Sequence, residues 1–253
     1  MGNYDKAEEC FQQALKLVDV EKKLNPATDS HKGGLFMGLG LVKKRQGKVK
    51  EGLVDLHKSL EWYQKSTGPN PHSLVAKAHT SVAHAYEDLK DWANAAKHMR
   101  QAVDIFHKTC GKTSPLTGNA WGSLGKIYVQ VEKYEKAWDA LKEALFNEVE
   151  HDSLKVFTLF EHVTLLYRLC TTLKPKNANA KELVPALKTL DVNVMAQVKS
   201  GLVVNDGNVG ALYKSMAELA IVSQQYKMAS KFLNAALTQF GNEKSFDCSS
   251  LIT

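Results

Sequence analysis

The stretch Trp121-Gly122-Ser123-Leu124-Gly125-Lys126-Ile127-Tyr128, followed by Tyr134-Glu135-Lys136-Ala137 and then Leu141, Ala144 and Leu145, decides the fold. Within each half the apolar residues recur at intervals of three and four, the spacing of one helical face. Val131-Glu132-Lys133 leaves room only for a tight turn, which makes the two helices antiparallel neighbours. Gly125, Ala137 and Ala144 let the facing backbones approach, and Trp121 and Tyr128 fill the space between them. The stretch therefore predicts one complete helical hairpin with Trp121 in its core.

The same spacing returns on either side. Residues 2–22 carry Tyr4, Ala7, Phe11 and Ala14 in register with the second half of the hairpin and with nothing of its first half. Residues 31–66 pair Phe36, Leu39 and Gly40 with Gly52 and Leu56; Lys43 stands where the quoted stretch has Tyr128. A glycine inside a helix costs up to about 1 kcal/mol against alanine, so this unit is expected to be among the looser ones. Residues 73–108 pair Val82, Ala83 and Tyr86 with Ala95, Met99 and Ala102, and His79, in the tryptophan position, reads as a packed core residue. After the hairpin at 115–149 comes a degenerate unit over 153–200, interrupted by Lys174-Pro175-Lys176-Asn177-Ala178-Asn179. A clearer unit spans 208–240, where Tyr213 and Met216 face Ala229 and Ala236, and 241–253 read as a polar tail. From Ala7 to Gly52, Ala95 and Ala137 the steps are 45, 43 and 42 residues.

Trp-x2-Leu-Gly-x2-Tyr followed by Ala-x3-Leu-x2-Ala resembles the tetratricopeptide repeat, and steps near 42 residues with proline-bearing links resemble its kinesin light chain-like subclass. The resemblance covers residues 1–150 well. It implies an all-α, right-handed α-solenoid of antiparallel hairpins, about eleven helices in a single domain over 1–240. It also implies a groove lined by the first helix of each hairpin. Transferred position by position, the groove candidates are Met37, Leu41, Lys44 and Arg45; Lys77, Thr80, Ser81, His84 and Glu87; Asn119, Gly122, Ser123 and Lys126; and Lys214, Ser215 and Glu218. The lysine and asparagine that a clamp for chaperone C-termini needs in one repeat are absent, which disfavours that ligand. The implied role is a non-enzymatic scaffold or adaptor for protein partners, an acidic extended segment among them, or a subunit of a larger assembly.

Composition agrees with a globular helical chain: 253 residues, 44% hydrophobic and 24% charged. Four scattered cysteines without a Cys-x-x-Cys pair point to reduced thiols and a cytoplasmic setting; an organellar location stays open should the N-terminus be truncated or processed. No apolar run reaches the length of a membrane span. A net charge of +6 is mild for this length, and the groove positions do not repeat chemically as an RNA code would, so nucleic acid is disfavoured beside a protein partner. A regulatory subunit of an enzyme is a reading that the sequence does not separate from the scaffold. No phosphate loop, nucleophile elbow or zinc motif occurs, and neither cofactor nor metal is expected. Finally, the face of Tyr4, Ala7, Phe11 and Ala14 has only the following repeat to cover it, so this edge is expected either to continue into a longer array or to dock a partner.

Overall fold

A computed structural model describes residues 2–21, 29–150, 156–200 and 207–239. Every regular element among them is helical, and the chain divides into two compact units, Met1–Val131 and Glu132–Thr253. The first holds α1 (Gly2–Glu21), α2 (Asp29–Arg45), α3 (Val49–Thr67), α4 (Ser73–Asp88), α5 (Trp92–Cys110) and α6 (Pro115–Gln130). The second holds α7 (Tyr134–Val149), α8 (Val156–Arg168), α9 (Val184–Lys199), α10 (Gly207–Val222) and α11 (Tyr226–Gln239). Among the described residues no helix is long and apolar enough to cross a membrane. The expected polar tail at 241–253 lies outside the described residues.

In the first unit each helix packs on the next in sequence, and α2 also touches α4, the pattern of stacked hairpins. α2 and α3 meet at two glycines: a Cβ on Gly52 would stand 2.5 Å from the carbonyl oxygen of Gly40. Ser59 Oγ donates to the Gly33 carbonyl at 2.7 Å along the same seam. Lys43, which replaces the expected tyrosine, pairs with buried Asp55 of α3 at 2.7 Å. The glycines that looked like weaknesses in this unit are thus the means by which its two helices approach.

The hairpin turns share a feature that the sequence conceals. Gly47, Lys90, Glu132 and Gln224 all have left-handed backbone, with φ of 83°, 59°, 56° and 62°, and each stands two residues before a second helix. Their steps of 43, 42 and 92 residues repeat those from Gly52 to Ala95, Ala137 and Ala229, so the structural repeat is in the register of the sequence repeat. In three of the turns the next N–H reaches back five residues, from Lys48 to Lys43, Asp91 to Tyr86 and Gln225 to Ala220, which caps the first helix. A side chain in this conformation costs roughly 1–2 kcal/mol. Lys90→Gly is therefore expected to raise stability by about 0.5–1 kcal/mol after the entropy of a freer unfolded chain is subtracted. Urea denaturation would show it as a higher midpoint at unchanged slope; a lower midpoint would mean that Lys90 contributes more through its side chain than its backbone costs.

The second unit departs from the pattern at the insertion. α8 runs into a π-helical turn, Leu169–Leu173, and Lys174 ends it in left-handed backbone at φ 43°. Asn177 then fastens the insertion to α7, donating to the Glu135 carbonyl at 3.1 Å and to Asp139 Oδ1 at 2.9 Å. A short 3-10 turn, Ala180–Leu183, leads into α9 with Pro185 in its first turn. Leu159, Val163, Leu166, Leu187, Leu190 and Val194 are all buried, and α8 packs directly on α10, more extensively than α2 does on α4.

Candidate functional site

A cleft of about 360 Å³ opens in the first unit. α4 forms one wall through Lys77, Thr80, Ser81 and His84, and α6 forms the other through Leu116, Asn119, Ala120 and Ser123. Met37 of α2 closes one side, and Phe106 of α5 lies within it. These positions follow from helix geometry. Residues 77, 80, 81 and 84 are one stripe at intervals of three and four, as are 116, 119, 120 and 123. The opposite stripes of the same helices, with Ala76, Val82 and Ala83 on α4 and Leu124 and Ile127 on α6, are in the core.

Of the groove candidates, Lys77, Thr80, His84, Asn119 and Ser123 line this cleft together with Met37 and Ser81. Lys44 stands beside it: its ammonium donates to the His84 carbonyl at 3.4 Å and pairs with Asp88 at 2.9 Å. Lys126 acts electrostatically on the same His84 and Glu87. Arg45 ends α2, is exposed, and does not line the cleft. Lys214, exposed, and Glu218, half-buried, lie on α10 in the second unit. Sequence reasoning missed Phe106, Leu116 and Ala120, which supply the apolar surface. Phe106 belongs to a second helix, outside the first-helix positions, although it continues the buried run Met99, Ala102 and Val103 at helical spacing.

Charge at the α2 end of the cleft is balanced rather than uniform. His84 Nε2 lies 3.7 Å from Glu87 Oε2. Burial, with Lys44 and Lys126 assisting and Asp88 opposing, holds the His84 imidazole below its ordinary value. Burial raises the Glu87 carboxyl, and the same two lysines oppose that rise. The cleft offers neutral donors and acceptors from Thr80, Ser81, His84, Asn119 and Ser123 around an apolar floor, with ammonium groups at its margin. No group of three His, Cys, Asp or Glu side chains among the described residues is placed to hold a metal ion.

At the N-terminal edge the Phe11 ring lies on Gly38, where a Cβ would come within 2.4 Å of it. Asp5 Oδ1 accepts from Gln46 Nε2 at 2.8 Å, and Glu8 pairs with Lys48 at 3.6 Å, tying α1 to the α2–α3 turn. Ala7 and Ala14 are half-buried, and Tyr4 is exposed.

Residues 74–145 match a family profile described as tetratricopeptide repeat, and residues 1–17 match a second profile of the same description. The chain is similar to the general transcriptional corepressor trfA of Dictyostelium discoideum, 28% identical over 101 residues, which are 40% of this chain and 6% of that protein. It is also similar to Protein KINESIN LIGHT CHAIN-RELATED 2 of Arabidopsis thaliana, 22% identical over 145 residues, 57% of this chain and 21% of that protein. The chain thus matches less than a quarter of the length of either relative. Among solved structures it resembles BtubC (BKLC) from P. vanneervenii, with a TM-score of 0.65 at 13% identity, covering 96% of this chain and 93% of that one. A putative kinesin light chain of Podosopora anserina, with nearly identical TPR-like repeats, gives 0.58 at 17% identity, covering 86% and 99%. YrrB, a TPR protein with an unusual peptide-binding site, gives 0.53 at 14% identity, covering 94% and 95%. The chain thus carries tetratricopeptide repeats over residues 1–17 and 74–145, and its fold is similar to that of kinesin light chain-like repeat proteins.

Proposed function

We propose that this chain is a non-enzymatic interaction module whose α4/α6 cleft holds an extended segment of a partner polypeptide, as an adaptor or as a subunit of a larger assembly. The observation that carries the reading is convergence: seven residues expected to face a groove, Met37 among them, come together in one cleft whose apolar floor is Met37, Phe106, Leu116 and Ala120. An extended backbone presents alternating N–H and C=O groups, which Asn119, Ser81 and Ser123 match with one amide and two hydroxyls. An apolar side chain of the segment fits the floor, and the cleft has the size usual for such a pocket. Lys77 on the wall, with Lys44 and Lys126 at the margin, favours an acidic residue beside that side chain. The peptide-binding site after which YrrB is described is consistent with this use of the fold.

The test is fluorescence anisotropy with a library of labelled acidic-aliphatic peptides. Ser123→Trp should close the cleft and abolish binding, and Lys77→Glu with Lys126→Glu should weaken it about tenfold. Binding should also weaken several-fold from low to high salt, because exposed ion pairs are screened and each contributes no more than about 1 kcal/mol. Unchanged affinity in both variants would remove the cleft from the interface.

A further inference from the structure

Behind the cleft, three imidazoles from three consecutive helices are in contact. His79 of α4 is 4% exposed, and its Nδ1 lies 3.0 Å from Nδ1 of His98 on α5. The His98 ring stacks on Tyr86 of α4 with centroids 5.6 Å apart. His57 of α3 meets both rings edge-on, at 5.6 Å from His98 and 6.0 Å from Tyr86, and its Nε2 is 3.2 Å from the Tyr86 hydroxyl. The groups that act on the cluster are Glu61 on α3, which favours a proton on His57, and Lys97 on α5, which opposes one on His98.

We propose that the His57, His79 and His98 cluster is a proton-responsive latch: neutral, it holds α3, α4 and α5 together, and on taking up protons it releases α4 from α5 and deforms the cleft. The geometry sets the proton count. In the neutral pair, one Nδ1–H donates to the other ring's Nδ1. A first proton can enter at Nε2 of the donating ring and leave that hydrogen bond intact, at the cost of a charge in a buried place. A second proton must put N–H against N–H across 3.0 Å, and the contact breaks. The link to the cleft is covalent and short: Thr80 and Ser81 follow His79 directly, and Phe106 lies eight residues, about two turns, beyond His98. For its effect on partner binding, the proposal rests on the reading of the cleft given above.

Burial first, and then the neighbouring imidazoles, lower both His79 and His98 from 6.5 to about 4, and burial lowers His57 as well. Because the folded values are depressed, the latched state is fully favoured above pH 6.5, and its advantage drains away as pH falls towards 4. The opened fraction should grow by up to about tenfold per pH unit for one proton taken up, and by up to about a hundredfold for two.

The experiment is an NMR titration of the full chain from pH 7.5 to 4, following the ring carbons of His79 and His98 and the amides of Thr80, Ser81 and Phe106, with urea midpoints at pH 7 and pH 5. The expected result is ring titration well below 6.5, cleft amides moving with the same midpoint, and a lower urea midpoint at pH 5. In His79→Phe/His98→Phe, the cleft amides should stay still and most of the midpoint loss should vanish. His79→Asn/His98→Asn, which keeps a polar pair without a titrating ring, tests the same point should the first variant fold poorly. Ring titration near 6.5, or cleft amides that move alike in wild type and in a folded variant, would overturn the latch. Peptide binding at pH 7 is a separate measurement, so its absence would refute the cleft reading and leave the ring titration to decide the latch.

Discussion

Trp138→Ala is expected to cost about 3–5 kcal/mol, the range for emptying a large buried aromatic site. Trp138 is fully buried on α7, at the centre of a helix that packs on α8 and α9. Its indole Nε1–H finds no hydrogen-bond partner among the described residues. Trp138→Phe should therefore cost far less than the alanine change, on the order of 1 kcal/mol, because the phenyl ring keeps most of the packing and the substitution removes an unsatisfied buried donor. Trp121, the tryptophan at the head of the quoted stretch, is only half-buried. Trp121→Ala should accordingly cost clearly less than Trp138→Ala. Urea denaturation of the three variants at pH 7 checks the order; equal losses for Trp138→Phe and Trp138→Ala would place the core of the second unit elsewhere, and a larger loss at Trp121 would mean that its exposed part contributes more than burial predicts.

The two tryptophans show what the sequence displayed and what it hid. Period made the helices plain: every regular element among the described residues is helical, as the apolar spacing of three and four requires. Ser114 caps α6 by accepting from the Leu116 N–H. Depth was less plain, because a repeat pattern names positions and not neighbours. Trp138 lies in the run 134, 138, 141 and 145, which has the same helical period as the pattern residues beside it, yet the pattern itself marks Ala137. The cleft was half legible for a related reason. Its polar walls sit on first helices at fixed positions, whereas Phe106 enters from a second helix whose rotation only packing sets. The histidine cluster was not legible at all. His57, His79 and His98 are separated by 22 and 19 residues, and no local spacing reveals that three helices bring their rings to one place. Lys43 is similar: as a departure from the pattern it looked like a loss, and only Asp55 across the seam makes it a replacement.

Gly52→Ala is expected to destabilise the protein, by about 1–3 kcal/mol as for other overpacking changes, although helix propensity alone predicts a gain of up to about 1 kcal/mol. The two effects have opposite signs, so the outcome decides which governs the seam between α2 and α3. An added Cβ at Gly52 would stand 2.5 Å from the Gly40 carbonyl oxygen and 3.1 Å from the Lys44 backbone nitrogen. Both are main-chain atoms, and they cannot swing aside as a side chain can. Gly40→Ala meets the Gly52 carbonyl oxygen at 2.7 Å and should behave alike. Gly34, on the same helix, is the control, since its nearest obstacle is the Tyr63 hydroxyl at 3.4 Å, so Gly34→Ala should be neutral or stabilising. Pushing α2 away from α3 would also disturb Met37, Lys43 and Lys44, all on the displaced helix. Met37 lines the cleft and Lys44 reaches the His84 carbonyl, so Gly52→Ala should weaken peptide binding as well as stability, while Gly34→Ala leaves binding unchanged. A stabilised Gly52→Ala variant would show that the helices can part without cost, and that the two glycines are not there for close approach.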